Sequence, residues 1–169
     1  MTQHSLSLAP FYKGWDVYQQ HLVTAIAPLS PEQLTLRAAP HMWSVGMIAT
    51  HIVATRVGWF QMWLGEGNAN LAPLAIWDEQ EDVVRTPAEL VTGLEDTWQM
   101  IQTALARWTP DDLEQVFQRS FSSNEAGQEH IVRQHSRQWI IWHLLEHDLH
   151  HGGELSLILG MYGLPALDL

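Results

Sequence analysis

The sequence contains no cysteine, few basic residues and no long apolar run, and each absence excludes a class of protein. Without cysteine there is no disulfide framework, no thiolate metal site and no cysteine nucleophile, so any thiol chemistry requires a thiol from another molecule. Eight basic residues stand against nineteen acidic ones, giving a formal net charge of −11. A surface with this excess of negative charge displaces no counterions from a polyanion and so gains no binding free energy from their release. We therefore expect no nucleic-acid partner.

The chain also lacks the features of a secreted or membrane-spanning protein. Its N-terminal segment has no basic stretch followed by an apolar one. No later segment reaches about 18 consecutive uncharged apolar residues, the length that indicates a transmembrane helix. We therefore expect a cytoplasmic protein with no membrane association. With 169 residues, the chain is long enough to bury a core as one domain covering residues 1–169.

Histidine and tryptophan are unusually frequent, with ten and nine copies respectively. The histidines concentrate in a C-terminal segment whose apolar residues recur at helical spacing. The stripe of this helix that faces the expected core contains Ile140, His143, His147, His151, Glu154 and Ile158. Buried imidazoles need polar partners, and a cation satisfies several of them at once. The segment therefore indicates a metal site.

The spacing of these histidines limits which of them can share one ion. A rise of about 1.5 Å per residue separates His143 from His151 by roughly 12 Å, which is too far for one site. Either His143 with His147 or His147 with His151 could supply two ligands at the i, i+4 spacing. A stable site needs a third ligand from another helix, and His51 is the candidate.

Four segments have the periodicity and end signals of amphipathic helices. They are residues 10–28, Trp43–Leu64 with Ser44 as N-cap, Thr86–Trp108 opening with a capping box, and Ser136–Tyr162. The apolar stripe of the second helix contains Ile48, Ile52, Trp59 and Met62, and His51 lies in the same stripe. Together the four segments predict an all-α four-helix bundle with its site between facing helices.

Two longer connections separate these helices. Residues 65–85 are predicted to be a loop of about twenty residues, long enough for helices two and three to run parallel. Its acidic run, Asp78 to Asp82, is predicted to be solvated, and a lid near the site is the less favoured interpretation. Residues 117–135 are predicted to form a polar loop or a weak hairpin.

Two segments of the chain, Pro40–Ile52 and Trp142–Ile158, resemble the DinB-like (DinB/YfiT) superfamily of metal-binding four-helix bundles. That superfamily also includes the mycothiol-dependent maleylpyruvate isomerases. The isomerase branch is expected to have a glutamate at the position of His147. The segment His151-Gly-Gly-Glu154 also differs from the more usual His-Arg-Gly-Gln. The resemblance implies an up-down-down-up bundle and often a homodimer.

Carried over residue by residue, the resemblance makes His51, His147 and His151 the three metal ligands. His143 and His150 then become pocket residues or residues behind the ligands. Three neutral imidazoles leave a divalent ion its full charge and an open position, which is typical of a catalytic site. The ion would lower the pKa of bound water or deprotonate a bound thiol.

We therefore expect a metal-dependent enzyme with Zn²⁺ or Ni²⁺ and a small-molecule substrate. The resemblance implies an S-transferase-like reaction with bacillithiol, mycothiol or glutathione, and plain hydrolysis is also compatible. Glu154 is the candidate for proton handling, and Trp43, Trp139 and Trp142 are candidates for the pocket wall. One alternative is a non-catalytic bundle whose ion is structural or senses metal. Another has no metal, with the histidines forming a hydrogen-bonded core.

Overall fold

A computed structural model describes residues 6–80, 83–121 and 131–167, and within them the fold is predominantly helical. The α-helices are α1 (Lys13–Ile26), α2 (Val45–Arg56), α3 (Pro87–Arg107) and α4 (Arg137–Met161). A π-helix, Val57–Trp63, continues α2 without a break. Short 3₁₀ helices cover Ala9–Tyr12, Gln33–Thr35, Ala69–Glu79 and Pro110–Asp112. None of the helices in these ranges is long and apolar enough to cross a membrane.

Side-chain caps confirm the predicted starts of three helices. The hydroxyl of Ser44 accepts a hydrogen bond from the backbone N–H of Met47 at the start of α2. Thr86 and Glu89 form a reciprocal capping box at the start of α3. Ser136 caps α4 in the same way as Ser44 caps α2. These bonds satisfy backbone donors that have no partner inside the helix, so they fix where each helix begins.

The second half of the second helix differs from the prediction. Ile48 and Ile52 are buried as expected, but Met62 is 51% exposed. The cause is the π-helix, in which each backbone bond spans one residue more than in an α-helix. This wider turn rotates the face that follows Arg56, so the α-helical period no longer identifies the buried side chains.

The prediction of an all-α fold is wrong in one respect, because the structure contains a two-stranded antiparallel sheet. Strand β1 (Val116–Phe121) pairs with β2 (Ile131–Ser136), and α4 follows β2 directly. The hairpin alternative is thus confirmed for the two strands, and residues 122–130 of the predicted segment lie outside the described residues. The interleaved polar and apolar residues of these strands suit a ribbon with one solvated face.

The connection between α2 and α3 is more ordered than predicted. It contains the 3₁₀ helix Ala69–Glu79, which begins where the side chain of Asn68 accepts from the N–H of Asn70 at 2.9 Å. Leu71 is buried in one apolar cluster of the core, and Trp77 packs against a second one. Apolar side chains therefore attach this segment to the core, where it contacts α2.

Among the described residues the core forms two apolar clusters, one with side chains from α1 to α4 and one in which the π-helix takes the place of α2. The first cluster includes Leu22, Ile52, Leu94 and Leu155. The second includes Trp15, Phe60, Ile101 and Ile140. Burial of these side chains contributes most of the favourable free energy of folding.

A fully buried ion pair lies within this apolar interior. Nη2 of Arg56 donates to Oδ2 of Asp148 at 2.7 Å, and Nε donates to both carboxylate oxygens at 3.1 and 3.2 Å. Nη1 of Arg56 donates to Oε1 of Gln19 at 2.7 Å and to the carbonyl of Leu94 at 3.2 Å. Nε1 of Trp15 donates to Asp148 at 2.7 Å. One guanidinium group thereby connects α1, α2, α3 and α4.

Helices α1 and α4 approach each other closely at Gly152. A Cβ atom at this position would lie 2.1 Å from the hydroxyl oxygen of Tyr18. That hydroxyl donates to the carbonyl of Leu149 at 3.3 Å. Burial and the nearby Asp148 carboxylate raise the pKa of Tyr18 to about 12, so the hydroxyl keeps its proton. The contact requires a residue without a side chain.

We expect Gly152→Ala to lower the free energy of unfolding by about 1–3 kcal/mol, because the added methyl group overlaps the tyrosine hydroxyl. Gly153→Ala is the matched control, since a Cβ at Gly153 has no neighbour within 4 Å. That substitution should stabilise the helix by about 0.5–1 kcal/mol. Urea denaturation of both variants measures the difference. Equal stability of the two would contradict the close approach.

Candidate metal centre

Three imidazole rings meet between α2 and α4. His51 lies on α2, and His147 and His151 lie one turn apart on α4, which packs against α2. The Nε2 atoms of His51 and His147 are 3.0 Å apart. One nitrogen from each of the three rings lies within 4.8 Å of the other two. These residues, here called the histidine triad, form a group that could hold a metal ion.

Carboxylates lie behind two of the three rings. Nδ1 of His51 is 2.8 Å from Oδ2 of Asp78, and Nδ1 of His151 is 2.8 Å from Oε2 of Glu154. An ionised carboxylate can only accept, so Nδ1 of each ring donates the hydrogen bond. In the neutral imidazole, Nε2 then carries the lone pair. This arrangement is common behind histidine ligands of metals, where it fixes the tautomer and the ring orientation.

His147 is the most enclosed ring of the histidine triad. Its Nδ1 atom is buried and has no hydrogen-bond partner among the residues that the structure describes. Burial lowers the pKa of His147 to about 3, and the neighbouring His151 and His51 add to the effect. Burial also lowers the pKa of His151, although Glu154 opposes the shift. Histidine binds metals in its neutral form, which burial favours.

The donor set fits a divalent transition metal. Two nitrogens that are each about 2.0–2.1 Å from a tetrahedral Zn²⁺ are about 3.3 Å apart. The separation of 3.0 Å between His51 and His147 is close to this value, and His151 needs only a small movement to join them. The carboxylates behind His51 and His151 already leave the lone pair of each ring on Nε2, the atom that would bind the ion. The residues therefore suit an ion with imidazole ligands.

Two cavities border the histidine triad, and both are lined by Trp43. The first cavity, of about 310 Å³, is lined by His51 and Asp78 among others. The second cavity, of about 370 Å³, is lined by His151 and Glu154 among others. Trp43 lines both, with its ring 4.8 Å from that of His51 and 5.8 Å from that of His151. A small molecule in the first cavity would therefore lie beside His51, and one in the second beside His151.

Comparison with known protein families assigns the chain to a superfamily. The family model of the DinB superfamily matches residues 14–155. The chain belongs to the DinB superfamily. The crystal structure of a DinB-like protein from Bacillus cereus ATCC 10987 has a TM-score of 0.70, covering 98% of this chain and 99% of that one. At 20% sequence identity, this likeness shows a shared fold alone. No curated protein matches the chain.

The structure places the other predicted site residues of this DinB-superfamily chain at different distances from the histidine triad. The ring of His143 is 6.4 Å from that of His147. Trp139 stacks between His143 at 4.7 Å and His135 at 3.8 Å, so it lies near the start of α4, away from the histidine triad. Together with Trp59, these rings form an aromatic row that leads from the hairpin toward the histidine triad.

Two further predicted residues lie at the surface. Trp142 is 59% exposed and lines neither cavity. The side chain of His150 is 66% exposed, and its Nε2 is 3.6 Å from Oε1 of Glu154. Glu154 itself is placed behind His151 as described above. Among the predicted tryptophans, Trp43 is therefore the one that contacts the histidine triad.

Asp78 is the main site residue that the sequence interpretation missed. It belongs to an acidic run that was predicted to be solvated, yet it contacts His51 from the 3₁₀ helix Ala69–Glu79. Glu81 and Asp82 of the same run lie outside the described residues. The connection does carry a signal of its own, because Leu74 and Trp77 are apolar and pack against the core just before Asp78.

Arg56 and Asp148 were also missed, although both positions carry a sequence signal. Arg56 follows Ile48 and Ile52 at a spacing of four, and Asp148 follows Leu144 at the same spacing. Opposite charges on two buried stripes predict an ion pair, because a lone charge there would be costly. On α4 the fully buried side chains include Leu144 and Asp148, so the histidines lie at the edge of this stripe.

We expect metal-free protein of this DinB-superfamily chain to lose stability as the pH falls from about 6.5 toward 3. His147 takes up its proton near the ordinary value of 6.5 when unfolded but only near 3 when folded. The unfolded state therefore binds more protons in this range, and acid favours it. Between pH 7 and 5 the loss from this group is about 1–2 kcal/mol.

Urea denaturation at several pH values, after removal of metal, measures this dependence. The His147→Gln variant cannot take up the proton, so its stability should depend less steeply on pH. Identical slopes for parent and variant would show that His147 does not resist protonation in the folded state.

Proposed function

We propose that this protein is a metal-dependent enzyme in which His51, His147 and His151 hold one divalent ion, Zn²⁺ or Ni²⁺. The observation that carries the proposal is the 3.0 Å approach of Nε2 of His51 to Nε2 of His147, with carboxylates behind His51 and His151. Imidazole ligands suit both metals. When bound, the ion supplies Lewis acidity that lowers the pKa of a thiol or of water.

The residues around the histidine triad have distinct proposed tasks. Asp78 and Glu154 accept hydrogen bonds from Nδ1 of His51 and His151, which orients the rings and makes Nε2 more basic. Glu154 thus acts first by orienting His151, while Oε1 lies toward the exposed His150. Trp43 forms an apolar wall against two of the rings, which excludes water from that side.

The proposed reaction is transfer of an external low-molecular-weight thiol, and hydrolysis of a small molecule is the second candidate. The chain has no cysteine, so the thiol would be a separate molecule such as bacillithiol, mycothiol or glutathione. The alternative is a non-catalytic bundle with a structural or sensing ion. The two cavities beside the histidine triad favour an enzyme, because structural sites are closed whereas catalytic sites keep an open position.

We expect protein purified without a metal-affinity tag to contain about one equivalent of transition metal, because three imidazoles are enough to hold one ion with an open position. His147→Ala should contain little, since it removes the central ligand. The matched control is His143→Ala, which removes a histidine one turn away on the same helix. Elemental mass spectrometry measures all three. Equal metal content in the parent and His147→Ala would refute the assignment of ligands.

We expect an added thiol to bind at the metal and not elsewhere in the protein. Protein loaded with Co²⁺ should gain a thiolate-to-metal absorption band when glutathione or another small thiol is added, because a coordinated thiol is deprotonated. His51→Ala should not show the band. A parent spectrum unchanged by each thiol would exclude the transfer reaction and leave hydrolysis. An ion that cannot be removed without unfolding the protein would support the structural alternative.

The proposal extends to the assembly of the protein. We propose one cytoplasmic domain with an up-down-down-up arrangement of α1 to α4, and a homodimer without nucleic-acid or membrane partners. Helix α4 leaves several large apolar side chains exposed, which supports an interface between two copies. They are Trp142, Leu149, Leu157 and Met161. Sedimentation analysis of the parent and Leu157→Glu tests the dimer, and a monomeric parent would exclude it.

A further inference from the structure

The first cavity contains two arginines that form no ion pair with any described carboxylate. Arg37 and Arg85 both line this cavity, beside His51. In contrast, Arg56, Arg107 and Arg137 each pair with a carboxylate. With only eight basic residues against nineteen acidic ones in the chain, two unpaired guanidinium groups at one cavity are notable. Arginine in a cavity is a common ligand for carboxylates, since its planar fork matches their two oxygens.

Arg85 is held in place but keeps unused donors. Its guanidinium lies 4.0 Å from the centre of the Trp77 ring, and Nη2 donates to Oε1 of Gln80 at 2.6 Å. Its Nε atom is buried and has no hydrogen-bond partner within the described ranges. The carboxylate of Glu89 is near enough to attract Arg85 electrostatically, but it forms no ion pair with it and accepts bonds from Thr86 in the capping box. A buried donor without a partner is costly, so an acceptor from a ligand would be favourable here.

Arg37 has a similar surplus of donors. Nη1 donates to the carbonyl oxygen of Met42, and Nη2 lies 3.4 Å from the sulfur of Met47. A thioether is a weak acceptor, and a guanidinium has five N–H donors in total. Among the described residues that line the cavity, Asp78 is the one carboxylate, and it is bonded to His51. This part of the lining therefore has an excess of hydrogen-bond donors and positive charge.

The rest of the wall of the first cavity is mostly apolar. It includes Leu34, Met47, Trp77, Val83, Val84 and Leu90. A ligand that fills the cavity therefore needs an apolar body as well as an anionic group. The volume of about 310 Å³ is at the lower end of the range for small-molecule sites.

We infer that the first cavity binds a small organic carboxylate, with Arg37 and Arg85 holding its carboxylate group and the apolar wall holding its carbon chain. Only the role of this acid as the substrate of the metal centre rests on the proposed function. His51 lines the same cavity, so the bound acid lies next to the histidine triad. Binding of the acid itself depends on the arginines.

The probe for this site is hexanoate, compared with hexan-1-ol as a neutral molecule of similar size. Isothermal titration calorimetry is done on the protein as purified and again after chelation of metal. Hexanoate should bind at least about tenfold more tightly than hexan-1-ol, because charge-assisted hydrogen bonds each contribute at least this factor. Arg37→Gln and Arg85→Gln should each weaken hexanoate binding by about tenfold or more, with or without metal.

Arg107→Gln is the matched control, because Arg107 pairs with Glu66 at the surface and lines neither cavity. It should bind hexanoate like the parent. Arg85→Lys keeps the charge but loses the planar fork, so its affinity should fall between those of the parent and Arg85→Gln. This variant also tests the site if Arg85→Gln does not fold, which circular dichroism will show.

Three outcomes would overturn the inference. One is equal affinity for hexanoate and hexan-1-ol, or no change in the arginine variants. Another is binding that disappears on chelation and is unaffected by the arginine variants, since the ion alone would then hold the carboxylate. The third is inorganic phosphate binding as tightly as hexanoate, which would indicate a general anion site. Arginine-dependent binding after chelation would stand even if the metal proposal failed, so the two failures are distinguishable.

Discussion

The buried ion pair between Arg56 and Asp148 is the interaction on which the rest of the structure depends. Asp148 directly follows His147 on α4, and Arg56 lies five residues after His51 on α2. The same guanidinium that joins these helices therefore also sets the distance between two rings of the histidine triad. Breaking a buried pair typically costs about 3–5 kcal/mol, because the remaining charge has no partner. The fold and the site are thus stabilised by the same contacts.

Near this pair, acidic and basic side chains occupy different parts of the site. Its net charge is −11, yet carboxylates near the histidine triad lie behind the rings and not between them. Burial keeps His147 neutral, so the centre of the site offers lone pairs without competing protons. Positive charge appears on the wall of the first cavity. An acidic chain can therefore present a site suited to a cation beside one suited to an anion.

Parts of this structure that depend on neighbouring residues could be predicted from the sequence, and contacts between distant parts of the chain could not. The caps at Ser44, Thr86 and Ser136 depend on neighbouring residues, so sequence identified them. The spacing of His147 and His151 likewise follows from helical geometry. Leu74 and Trp77 indicate that the connection attaches to the core, but the contact of Asp78 with His51 depends on how that connection folds back onto α2. Periodicity indicates which face of a helix is buried but not which helix covers it, so it did not identify Asp148 as the partner of Arg56.

The π-helix at Val57–Trp63 has a consequence for comparing this chain with its relatives. A π-turn contains one residue more than an α-turn, so the residues of this segment leave the register that a continued α-helix would give them. A relative whose helix is α-helical throughout would match this chain only if a one-residue gap were placed inside the helix. Alignments usually confine gaps to loops, and they would then shift Trp59 and Trp63 out of correspondence with their true counterparts.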